Sequence, residues 1–167
     1  MNHRIKQISI LILVSVFPLR LCTADQSTTN SAKGAESTRS EGTKTNTYTH
    51  EGIWKPIAAI LGGMRLPPEA LEAITLKITG DNYEVTVAGE GPDKGTCQRD
   101  LSTTPKRMTI KSTDGPNRGK TFLAIYEMKD ANSMRVCYDL SGKDFPKEFK
   151  APKDTQLYLV GYRRQKK

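Results

Sequence analysis

Four stretches of this chain alternate apolar and polar residues with a period of two, and nothing else in it constrains the fold as strongly. They are Ile74–Thr79, Tyr83–Val87, Met108–Lys111 and Met134–Asp139. Successive side chains of an extended chain point to opposite faces, so such alternation describes an antiparallel strand with one face on a core and one in water. Thr121–Met128 and Leu157–Tyr162 are apolar on both faces. They read as strands whose orientation the pattern leaves open.

The segments between them are turn chemistry. Gly91-Pro92-Asp93-Lys94-Gly95-Thr96 recurs 24 residues later as Gly115-Pro116-Asn117-Arg118-Gly119, and Lys129-Asp130-Ala131-Asn132 makes a third turn. Proline presets φ at the second turn position, Asp or Asn suits the next, and a closing glycine can take positive φ. Eight strands follow, near 52–60, 74–80, 82–89, 95–101, 106–112, 120–128, 133–140 and 155–163. Only Pro67–Ala73 reads as helix: proline is compatible with a first helical turn, and Glu69 and Glu72 favour its N-terminal dipole. The predicted fold is therefore all-β, an eight-stranded antiparallel up-and-down barrel with one short helix between strands 1 and 2. Closure removes the exposed edges that an open meander of this length would leave.

Residues 1–49 differ in texture. Arg4 and Lys6 precede the ten-residue apolar run Ile8–Phe17, and Cys22-Thr23-Ala24 ends the segment before Asp25. This pattern predicts a secretory signal peptide over 1–24 and a secreted or periplasmic protein. As a helix the run would span about 15 Å, half of a hydrocarbon core of roughly 30 Å, so no stable membrane span is expected after cleavage. Lipidation at Cys22 is disfavoured by Leu21 before it, where a small residue is wanted. Asp25–Thr49 contains no Leu, Ile, Val or Phe. Such a stretch cannot bury enough apolar surface to offset its ordering entropy, and 25–49 reads as a disordered linker to a domain at 50–167. Removing Arg4, Lys6 and Arg20 from the 26 basic residues leaves 23 against 18 acidic ones, a net +5. Much of that excess lies in Arg163-Arg164-Gln165-Lys166-Lys167, while other basic residues alternate with acids. A solvated terminus explains this better than nucleic-acid binding.

The chemistry-bearing motifs exclude more than they admit. Gly115–Thr121 superficially matches a phosphate loop, but only three residues separate its glycines and it joins two strands, whereas a P-loop has four and leads into a helix. After cleavage His50 is the sole histidine, set at the linker boundary, so neither a multi-histidine metal site nor a Cys–His nucleophile is predicted. Glu90, Asp93, Glu127 and Asp139 show no spacing suggesting a carboxylate pair and read as exposed strand and turn acids. No catalytic residue, metal or cofactor is expected. Cys97 and Cys137 are predicted to remain unpaired. Cys97 shares a face with Leu101, read as inward, whereas Cys137 is out of phase with Met134, Val136 and Tyr138 and reads as outward.

The most informative short motif is Gly52-Ile53-Trp54 at the start of strand 1. It is similar to the Gly-X-Trp of lipocalins, whose Trp closes the barrel floor beneath an Arg from the last strand; that resemblance makes Trp54, with Arg163 or Arg164, the barrel-closing group. Residues 51–164 resemble an uncharacterised lipocalin-like domain family of secreted planctomycete proteins. The likeness is carried by Gly52–Trp54, Leu66-Pro67-Pro68-Glu69, Asp93–Thr96, Asp114–Lys120, Ile125-Tyr126-Glu127 and Val136-Cys137-Tyr138. Pro146–Phe149 resembles the family's Arg-Pro-X-X-Phe loop, with Phe145 where the family has Arg. The resemblance implies the barrel and no established activity. The expected function is a monomeric, non-enzymatic binding protein for a small apolar or amphipathic ligand. Ile78, Val85, Val87, Met108, Ile110, Val136 and Tyr138, with Trp54, are predicted to line the interior. The alternative is a barrel filled by those side chains, serving as a structural or protein-interaction module whose partner is unknown.

Overall fold

The computed structural model describes residues 48–166. The signal-peptide reading, and the linker reading except for its last two residues, lie outside the described residues. Nine strands and one helix follow in order: β1 Gly52–Leu61, β2 Met64–Arg65, α1 Pro68–Glu72, β3 Ile74–Thr79, β4 Asn82–Val87, β5 Asp93–Asp100, β6 Lys106–Asp114, β7 Thr121–Asp130, β8 Ser133–Asp139 and β9 Leu157–Arg164. All pairings are antiparallel between chain neighbours β3 to β9, and β1 pairs with both β3 and β9. That last pairing closes an eight-stranded up-and-down barrel. The additional β2 is a two-residue hairpin arm on the end of β1, so α1 follows β2 and not β1 directly.

Register shows which face is inside. Trp54 lies opposite Leu76, Leu76 opposite Val85, Cys97 opposite Ile110, Ile110 opposite Phe122, Tyr126 opposite Val136, and Val136 opposite Val160. All except Val85 are buried. Along β1 the alternation breaks where Pro56 pairs with Tyr162 but Ala58, not Ile57, pairs with Gly161. The extra residue of this bulge puts Ile57 and Ala58 both outside and restores Ala59 to the core, where it is 1% exposed. Gly95 sits where β5 and β6 approach most closely; a Cβ there would fall 2.0 Å from the Lys111 carbonyl oxygen. Only glycine fits.

The outer face of β7 and β8 is also dry. Ile125 and Cys137 point away from the barrel yet are 1% and 0% exposed. The 140–156 segment lies over them. Phe149 packs under the Arg135 guanidinium at 4.0 Å, Phe145 under Arg107 at 4.8 Å, and the Cys137 thiol donates to the Lys150 carbonyl at 3.3 Å. This second layer explains why β7 is apolar on both sides. Cys97 is inside the barrel wall and Cys137 outside it, and both are free thiols. The inward reading of Leu101 is corrected: it follows the end of β5 and is 62% exposed.

Candidate functional site

The barrel has two unlike ends. At the lower end, where β1 begins and β9 finishes, Trp54 is wholly buried and the Arg164 guanidinium carbon lies 4.3 Å from its ring centroid. Arg164 also ties the entering chain down, donating to the carbonyls of Thr49, Glu51 and Ala131. The Trp54 indole N–H donates to the His50 carbonyl at 2.9 Å. Gly52 has φ of 137°, and a Cβ on it would meet the Arg164 guanidinium at 2.6 Å, so the glycine two residues before the indole makes room for the arginine. Arg163 is not part of this arrangement. It faces outward and donates to the Ser133 hydroxyl at 3.0 Å.

His50, expected at a peripheral boundary, packs into this end of the barrel. Its ring meets the Tyr126 ring edge-on at 4.8 Å. The His50 Nε2 and Tyr126 hydroxyl are both buried without a hydrogen-bond partner among the described residues. Burial, reinforced by Arg99, Lys106 and Arg164, lowers the imidazole pKa from 6.5 to about 4. Burial likewise pushes the Tyr126 phenol up to about 12. His50 is therefore neutral in the folded protein throughout the neutral range. Because its folded pKa lies below the unfolded one, the unfolded chain takes up the proton first as pH falls below 6.5. Stability should fall by about 1–2 kcal/mol between pH 6.5 and 4 once solvent screening is allowed for. A His50→Phe variant should show a flatter denaturant-unfolding profile across that window. Parallel wild-type and variant profiles would remove His50 from the titration.

The upper end is formed by the β4–β5 and β6–β7 turns, the β1–β2 arm and the start of β9. Along the inward face, burial is graded. Of the seven predicted lining residues, Ile78, Met108, Ile110 and Val136 are closed off at 4%, 5%, 6% and 0% exposure. Val85, Val87 and Tyr138 are only half-buried. Tyr158, half-buried, joins them: it lies opposite both Tyr138 and Leu61, and its ring stacks with Tyr138 at 5.8 Å and 23°. The Tyr138 and Tyr162 hydroxyls are 3.3 Å apart. Burial raises the pKa of all three phenols, which stay protonated.

One carboxylate enters this end from the wall. Asp93 lies opposite Val85 on the inward face and accepts from the Tyr83 hydroxyl at 3.0 Å, the Ser112 hydroxyl at 2.8 Å and the Asn117 amide at 3.2 Å. It thereby joins β4, β5, β6 and the 115–119 turn. The sequence reading placed Asp93 with exposed turn acids. The Gly91–Thr96 turn reading starts this strand at 95, whereas β5 begins at Asp93, so the residue's inward parity is hidden in the turn motif. Tyr158 was missed because β9 is apolar on both sides.

Two pockets lie on the outer wall. One of about 480 Å³ is formed by the 140–156 segment with Asp139 and Leu157, and one of about 570 Å³ lies at the lower rim beside Arg99, Leu101 and Arg107; Phe145 borders both. Among the described residues no group of three His, Cys, Asp or Glu is placed to hold a metal ion, and no helix is long and apolar enough to cross a membrane. No protein-family model matches the chain, and no curated protein matches it.

Proposed function

We propose that the protein is a non-enzymatic, lipocalin-like binding protein that takes a small amphipathic molecule at the upper end of its barrel. The graded burial of the inward face carries this reading. The lower and middle layers are filled by Trp54, Tyr126, Val136 and Val160, all 0% exposed, whereas Val85, Val87, Tyr138 and Tyr158 keep part of their surface in water. Inward-facing apolar surface left wet at one mouth gains free energy when a guest covers it, at roughly 25 cal/mol per Å². The phenol hydroxyls offer polar contacts beside it.

The test is titration with the uncharged fluorophore N-phenyl-1-naphthylamine. Saturable one-to-one enhancement is expected. Val87→Trp, which fills the mouth, should weaken it at least about tenfold, a loss of roughly 1.4 kcal/mol. Ile57→Ser, which removes an exposed apolar residue from the outer wall, should leave it unchanged. The two outer pockets meeting at Phe145 favour a second reading, a filled barrel acting as a protein-interaction module. Absence of saturable binding to the wild type would select that one.

A further inference from the structure

Resting on the mouth-binding reading, we propose that the ligand is a cationic amphiphile, an alkylamine-like molecule whose ammonium group is held by Asp93 and whose chain lies against Tyr138 and Tyr158. Asp93 is held by three neutral donors, the Tyr83 and Ser112 hydroxyls and the Asn117 amide. An ionised carboxylate offers about four acceptor positions, so one is left, on the oxygen that Tyr83 contacts. No cation forms an ion pair with Asp93 among the described residues. By register the cations on the inward face belong to the opposite end: Arg99 opposite Met108, Lys106 opposite Tyr126 and Arg164 opposite Trp54. At the upper rim Lys120 is engaged with the Asn117 side-chain carbonyl at 3.2 Å, and Lys94 with Glu84 at 3.6 Å.

Asp93 therefore presents one negative charge with neutral partners at the mouth, on the wall across from β8 and β9, which carry the stacked Tyr138 and Tyr158 rings. The carboxylate attracts an ammonium by direct charge, and the aromatic faces across the mouth offer apolar surface to the chain that follows it. A fatty-acid carboxylate entering the same mouth would meet Asp93 with no cation beside it, and would be repelled.

Calorimetric titration of the wild-type protein with octylammonium, octanol and octanoate separates the possibilities, since the three share a chain length and differ in head-group charge. Octylammonium is expected to bind at least tenfold more tightly than octanol, with octanoate weakest. Asp93→Asn should bring octylammonium down to the octanol level measured on the same variant. Equal affinity for octylammonium and octanol, preference for octanoate, or an unchanged preference in Asp93→Asn would overturn the cationic assignment and leave the mouth intact as a binding site. Failure of all three to bind would overturn the mouth itself. If Asp93→Asn does not fold, the wild-type ranking still decides.

Discussion

Trp54→Ala is expected to lower the unfolding free energy by about 3–5 kcal/mol and the melting temperature by about 10–20 °C. Three separate contributions converge on this indole. It is 0% exposed, so its removal empties a space that the surrounding strands cannot refill without opening the closed sheet. Its ring supports the Arg164 guanidinium, which in turn holds the carbonyls of Thr49, Glu51 and Ala131. Its N–H holds the His50 carbonyl and so keeps the entering chain across the barrel floor. Thermal unfolding followed by circular dichroism measures the loss. A melting temperature within about 2 °C of wild type would show that the floor does not depend on the indole.

Asp139→Ala should cost about 2–3 kcal/mol and expose the Cys137 thiol. Asp139 is 7% exposed and accepts from the amides of Ser141, Lys143 and Asp144 and from the Ser141 hydroxyl. Burial would raise its pKa, but the Asp144 amide and the Ser141 donors outweigh burial and hold the carboxyl below its ordinary range. These bonds start the 140–156 segment on its path over Ile125 and Cys137. With the anchor gone, the aromatic contacts of Phe145 and Phe149, the Cys137–Lys150 bond and the Leu140–Gln156 backbone bond are left to hold the cover. In the native wild type, burial pushes the Cys137 thiol pKa up to about 11, and a disulfide reagent should react slowly. In Asp139→Ala, one thiol per chain should react at least tenfold faster, while Cys97 inside the barrel remains protected. Unchanged thiol reactivity together with unchanged stability would show that the cover does not hang on Asp139.

The period-two alternation of β3, β4 and β6 was legible because each has one wet face, that of β8 because its covered outer face still carries the polar Arg135 and Asp139, and the Gly-Pro-Asx turns between strands are local chemistry. From these the strand count, their order and the closed antiparallel barrel could be read directly, and the short helix came within a residue or two. The pattern failed where the sheet has two dry faces. In β7 no alternation survives because the 140–156 segment shields Ile125 from outside, and in β9 the outward Leu157 and Leu159 are apolar and half-buried. The orientation of Tyr158 was lost with it. Strand ends failed similarly: Leu101 follows Cys97 at the right spacing but lies past the last ladder pair, where parity no longer means burial.

Local sequence thus determined the wall of this protein, since whether a residue extends, turns or alternates depends on its immediate neighbours. Which ends of the wall are plugged or open depended on groups far apart in the chain: Arg164 reaching Glu51, His50 meeting Tyr126, and Asp93 joining Tyr83, Ser112 and Asn117. The order of residues places no two of those groups together. Closure of the barrel does so at the floor, because only a sheet that returns to its first strand brings the last residues of the domain onto the first, and the pairing of β4, β5 and β6 does so for Asp93.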